Sequence, residues 1–218
     1  MPDVHNHNRE RRPVQLITSH NNDEQQTNSN NVERASSLNA DRGHSSTTNV
    51  VPVWVSTADN PHTEKLVYAL LDTQSDSTFI EERTCEELSA PVDPIKLKLS
   101  TKLGKDVTIQ CKRARGLRVG GYTSTHYIDL PPAYTHDFIP LNKEHIPTCE
   151  TARSWNHLAD IAMEMPPLLN CEVGLSIGCN WSAALAPCQV VTGESGQTYA
   201  VKTDLGWSIV GSLTSIDS

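Results

Sequence analysis

Leu66-Val67-Tyr68-Ala69-Leu70-Leu71-Asp72-Thr73-Gln74-Ser75-Asp76-Ser77 carries an unbroken apolar run straight into a dense polar cluster. The first six residues have the length and composition of a buried strand. A strand fixes where its last residue stands, and a tight polar turn can offer N–H donors to a carboxylate. That junction suits a catalytic aspartate at Asp72. It equally suits an aspartate that only forms a turn or a cap, so the Asp-Thr pair by itself leaves both open.

Upstream, Val50-Val51-Pro52-Val53-Trp54-Val55 is a β-branched run and predicts a strand, with Pro52 at an edge or a strand start. Asn60-Pro61 marks a turn. Downstream, Phe79 to Leu88 places Ile80, Thr84 and Leu88 at i+4 spacing with acids in the first turns. This predicts a short helix capped from the Ser75 to Ser77 cluster. Ile95-Lys96-Leu97-Lys98-Leu99 and Val107-Thr108-Ile109 alternate strictly, and Thr101 to Asp106 between them reads as a hairpin tip. Leu117 to Tyr122 and Tyr127 to Leu130 give two more strands, with Gly120-Gly121 as a bend or turn. Residues 133–150 read as irregular. From Ala152, Trp155, Leu158, Ala159, Ala162 and Met165 fall at helical spacing, and Pro166-Pro167 stops them; Trp155, Leu158 and Met165 form a stripe that reads as core packing rather than a partner-binding face. Val173 to Gly178, Gln189 to Val191 and Ser208 to Val210 complete a β-dominated domain.

Residues 1–49 differ from the rest. They lack Phe, Trp, Tyr and Cys and are crowded with Asn, Ser, Thr, His and Arg. Such a segment cannot bury enough apolar area to offset its ordering entropy. The expected organisation is a disordered polar linker over 1–49 and one folded domain over 50–218. His5, His7, His20 and His44 in the linker are loosely spaced without a cysteine, unlike a metal site.

The order of these pieces resembles the retropepsin-like aspartic peptidase domain of BEL/Pao-type retrotransposon polyproteins. The resemblance spans roughly residues 50–212. It is carried by Leu70-Leu71-Asp72-Thr73-Gln74-Ser75, a flap hairpin tipped by Lys102-Leu103-Gly104-Lys105, and the apolar-glycine piece Leu175-Ser176-Ile177-Gly178. The long closing stretch Thr203-Asp204-Leu205-Gly206-Trp207-Ser208-Ile209-Val210-Gly211 is the most distinctive. The fold this implies is mainly β, a single-lobed closed barrel of the acid-protease type with short helices. The activity it implies is aspartic endopeptidase processing of a polyprotein.

Two aspartates in such an enzyme face each other and share one proton, because like charges that close cannot both ionise. The ionised member activates a water while the protonated one polarises the peptide carbonyl. Neither a metal nor another cofactor is needed. This chain supplies one suitable aspartate, since Asp217-Ser218 has no apolar strand before it. The pair must therefore form across a two-fold axis of a homodimer. The resemblance implies that Asp72 and Thr73 are catalytic, with Thr73 bracing the two loops. It also implies that Gln74, Ser75, Lys102, Leu103, Gly104 and Lys105 meet the peptide substrate. The sequence departs from the family at Gln74, where glycine is usual, so the loop must be strained or reshaped there. A catalytically inactive peptide-binding or dimerising module is the alternative. Cys179-Asn180 also replaces the usual Arg-Asp pair and leaves a helix-anchoring contact in question.

With 18 basic and 26 acidic residues the net charge is −8, against broad nucleic-acid binding. No run approaches about 18 apolar residues, so no membrane span is expected. Met1 to Arg12 is polar and reads as no signal peptide, placing the chain inside the cell, in the cytoplasm. There the six cysteines are expected as free thiols and the Asn180-Trp181-Ser182 sequon stays unglycosylated. A nucleophilic cysteine and a zinc site from Cys171, Cys179 and Cys188 have only composition behind them.

Overall fold

The computed structural model describes residues 46–100 and 106–213. The elements run β1 (Ser46–Thr47), β2 (Val50–Thr57), β3 (Lys65–Leu71), β4 (Phe79–Glu81), α1 (Glu82–Glu87), β5 (Val92–Ser100) and β6 (Asp106–Ala114). They continue with β7 (Leu117–Gly121), β8 (Tyr127–Asp129), β9 (Ala133–His136) and α2 (Cys149–Arg153), then a 3-10 stretch over Asn156–Glu164. The chain closes with β10 (Val173–Ile177), α3 (Ser182–Leu185), β11 (Gln189–Thr192), β12 (Tyr199–Thr203) and β13 (Gly206–Ser212).

The fold is mainly β, as expected, but it is not a closed barrel. Nine strands form one sheet in the order β5-β6-β9-β4-β10-β3-β2-β7-β8, and β1-β13-β12-β11 form a second. Among the described residues β5 and β8 remain the two edges of the larger sheet, because each pairs on one side only. Period-two alternation sorts its side chains, except on β10, where a register shift between Val173 and Leu175 sends these two to different faces. Val51, Val53, Val55, Val67, Ala69, Leu71, Ile80, Leu175 and Ile177 pack in one core on one face. Val50, Tyr68, Phe79, Leu97, Leu99 and Val173 pack in another on the opposite face.

Several local expectations shift. Val50 opens β2 as expected, but pairing starts earlier: Ser46 and Thr47 lie against Ser212 and Gly211. These polar residues are held by backbone bonds, which composition does not reveal. Thr48 and Asn49 are also tied in, by the Thr48 N–H on the His145 carbonyl and the Leu71 N–H on the Asn49 carbonyl, so the linker does not reach residue 49; residues 1–45 of it lie outside the described residues. Pro52 sits in an interior strand, yet the β2–β7 ladder begins one residue later at Val53. Its missing N–H therefore costs no bond on that side.

Phe79 to Glu81 is a strand rather than the first turn of a helix, because Phe79 and Ile80 pair with both β10 and β9. Its successor α1 has no side-chain cap; the cap position is Glu81, and the expected Ser75 to Ser77 cap is not made. The apolar stripe at Trp155 is core as expected: Trp155, Leu158, Ile161, Ala162 and Met165 pack on Ala200, Trp207 and Ile209. Its helix is broken, however, into α2, opened by a Thr148–Thr151 capping box, and the 3-10 stretch. Residues 133–150 are not wholly irregular, since Ala133–His136 forms β9.

Candidate active site

Asp72 follows directly on β3, and the site is made where β10 enters beside that strand. β10 runs parallel to β3, with Ser176 opposite Leu70 and Ile177 opposite Leu71. It runs antiparallel to β4, with Ser176 opposite Phe79. β10 thus separates β3 from β4, and the loop 72–78 that joins those two strands must arch over its end. The Asp72 N–H donates to the Ile177 carbonyl at 2.9 Å and extends the ladder to the aspartate itself.

The arch lies directly on Gly178. A Cβ at that position would stand 2.2 Å from the Ser77 carbonyl oxygen and 2.8 Å from that of Ser75. Only glycine lets two backbones approach so closely. Four contacts then fix the arch. The Cys179 N–H donates to the Ser75 carbonyl at 2.7 Å, and the Cys179 thiol donates to the Thr73 carbonyl at 3.2 Å. Thr78 Oγ1 donates to Asn180 Oδ1 at 2.9 Å and accepts the Gly178 N–H at 3.4 Å. Asn180 therefore anchors the arch even though the Arg-Asp pair is absent. Within the loop, Ser75 Oγ donates to the Ser77 carbonyl at 2.7 Å and accepts its N–H at 3.2 Å.

Asp72 is half-buried, Thr73, Gln74 and Asp76 are exposed, and Ser75, Ser77 and Thr78 are buried. The Gln74 N–H donates to Asp72 Oδ1 at 2.8 Å, so one carboxylate oxygen is already oriented. Gln74 is not strained: among described non-glycine residues only Ser89 has positive φ. The loop is shaped to take a side chain at that position.

Of the expected site residues, Asp72, Thr73, Gln74 and Ser75 come together in this arch, with Ser75 turned inward and buried rather than towards a substrate. Lys102, Leu103, Gly104 and Lys105 lie outside the described residues. The hairpin that would bear them is formed, paired from Val92 with Ala114 to Ser100 with Asp106. Thr78 was not legible, since a buried threonine's partner 102 residues away leaves no local signal.

A cysteine nucleophile needs a thiol held below its ordinary pKa. Burial instead pushes Cys85 and Cys111 up and Cys171 up to about 11. Hydrogen bonds to Glu150 and Asp204 raise Cys149 and Cys188. All six cysteines are free, and among the described residues no three His, Cys, Asp or Glu side chains gather as a metal site. A hollow of about 60 Å³ beside α1 is lined by Glu82, Cys85, Glu86 and Lys112 and touches no residue of the arch. No helix among the described residues is long and apolar enough to cross a membrane. No protein-family model, no curated protein and no solved structure matches the chain.

Proposed function

We propose that this chain is a retropepsin-like aspartic endopeptidase of a retrotransposon polyprotein, active as a homodimer with one Asp72 from each subunit. The observation that carries the proposal is the arch: a half-buried carboxylate at the end of an inner strand, with its loop clamped by Gly178, Cys179 and Asn180. An oriented, water-accessible carboxylate on a rigid frame is what general-base catalysis requires. Its neighbours in the loop, Thr73 and Gln74, are exposed on the side where a second copy or a peptide would approach. Across a two-fold axis the two carboxylates share one proton. The ionised oxygen takes a proton from water as the water attacks the peptide carbonyl, and the protonated one stabilises the developing oxyanion. In this proposal the nine-stranded sheet stands for a single lobe of the acid-protease fold.

The inactive module is the second reading, raised by the glutamine that stands where the family has glycine, although the backbone there is not in the positive-φ region. The test is cleavage of a peptide library near pH 5, with and without pepstatin, alongside sedimentation analysis. Asp72→Asn should abolish cleavage, a loss of at least about 10²–10⁴-fold, while leaving dimer mass and unfolding temperature nearly unchanged. A dimer that binds peptide but cuts nothing until Gln74 is replaced by glycine would assign the wild type to the inactive module.

A further inference from the structure

We propose that the connection from β9 to β10 is a cover over the face that bears Asp72, latched shut by His145 on the backbone of β1. The proposal rests on the proteolytic reading only for what the cover hides. Strand alternation puts Tyr68, Leu70 and Asp72 on one face of β3. Coverage falls along that row: Tyr68 is buried, and Leu70 and Asp72 are half-buried. The cover comes from two sources that meet in one apolar cluster. Leu97 and Leu99 of β5 enter it from the hairpin, and Ile139 and Ile146 enter it from the connection, all buried, with Leu141 and Leu70 packed at its margin. An extended peptide over Asp72 repeats its side chains on one face about every 7 Å. It therefore needs the surface around Leu70 that this cluster partly occupies.

The latch is specific and short. His145 Nδ1 donates to the Ser46 carbonyl at 2.7 Å, and the Thr48 N–H donates to the His145 carbonyl at 3.2 Å. Asn142 shapes the turn before it by accepting the Glu144 N–H at 3.2 Å. The far arm is tied by the Leu169 N–H on the Tyr68 hydroxyl at 2.7 Å and by Lys143 on Glu172 at 2.9 Å. β1 itself is two residues long and, among the described residues, pairs only with β13. A contact of a few hydrogen bonds on so short a strand belongs to the low-stability end of local opening. Whatever acts on Ser46 to Thr48 thereby sets access to Asp72.

Two native thiols report on the cover from opposite sides: Cys111 on the hairpin and Cys171 on the connection, both half-buried against the cluster. The experiment is alkylation of the full chain by iodoacetamide, mapped by mass spectrometry. In His145→Ala both should react about fivefold faster than in wild type, the factor one net hydrogen bond carries. Cys85, buried in the other core on α1, should stay slow. His145→Asn, which keeps a donor near the same place, should restore the wild-type rates. Unchanged rates, or acceleration at Cys171 alone, overturn the proposal. If His145→Ala exposes Cys85 by unfolding, Leu141→Ser at the cluster margin carries the same expectation and the same refutation. Peptide cleavage measured in parallel separates the two ideas. Faster alkylation in a chain that never cuts removes the protease and leaves the cover; unchanged alkylation in an active enzyme does the reverse.

Discussion

Gly178→Ala should be among the most damaging single-methyl changes this domain can suffer. The added Cβ would meet Ser77 O at 2.2 Å, Ser77 C at 2.7 Å and Ser75 O at 2.8 Å. Comfortable contact begins near 3.3 Å, so the arch must retreat by about 1 Å. All three obstacles are backbone atoms, and no rotamer change can absorb the clash. Retreat also lengthens the bond from Cys179 N to Ser75 O, now 2.7 Å. Overpacking costs typically 1–3 kcal/mol, and a lost hydrogen bond about 1 kcal/mol more. The expected sum is about 2–4 kcal/mol, or roughly 4–16 °C in Tm for a domain of this size. Calorimetry and urea titration both read it. Gly116→Ala is the control: nothing lies within 4 Å of its Cβ, and only its φ of +69° is unfavourable, at about 1–2 kcal/mol. If Gly178→Ala costs no more than Gly116→Ala, the arch does not rest on Gly178 as described.

Gln74→Gly keeps the N–H that Asp72 accepts, so cleavage should be unchanged or raised, while stability falls by about 0.5–1 kcal/mol from the freer unfolded chain. A gain in stability would reveal strain at Gln74 after all. The Lys202 ammonium, followed by the Trp207 indole N–H, holds the Glu164 carboxyl below its ordinary value of 4.5. A depressed carboxylate contributes stability above its unfolded pKa and loses it as pH falls through the folded one. Glu164→Gln should therefore flatten the acid loss of stability below about pH 4.5 relative to wild type; parallel curves would refute the linkage. Tyr68→Phe removes the acceptor for the Leu169 N–H and should cost about 1–2 kcal/mol in urea unfolding. A neutral result would mean that water replaces the hydroxyl.

The strands of the larger sheet were legible wherever one face had to be buried. Leu66 to Leu71, Ile95 to Leu99 and Val173 to Ile177 declare themselves by run or alternation, and all became strands. Ala133–His136 and Ser46–Thr47 did not, because short polar-mixed segments become strands only through neighbours distant in sequence. Phe79 to Glu81 misled for the same reason: an i+4 pattern is a local preference, and pairing on both sides overrode it. Of the site, Asp72 and Gly178 could be read as pieces. Their contact could not, because which strand inserts between β3 and β4 is decided by topology rather than by either segment.

That insertion also bears on the glutamine. A glycine after Asp-Thr would be needed if the loop's curvature were generated at that residue. Here the curvature is imposed from below. Gly178 lets Ser75 and Ser77 settle onto the end of β10, and Thr78 with Asn180 fixes the exit. Position 74 lies on the exposed crest, where its N–H is used by Asp72. The closeness that glycine supplies is thus placed in the supporting strand, about a hundred residues away in the chain. A substitution at the crest then alters what a peptide or a second subunit meets, whereas a substitution at Gly178 alters where Asp72 stands. For this reason Gln74 does not by itself argue for an inactive domain, and the two glycine-related variants should differ in kind: one changing recognition at near-constant stability, the other unseating the carboxylate.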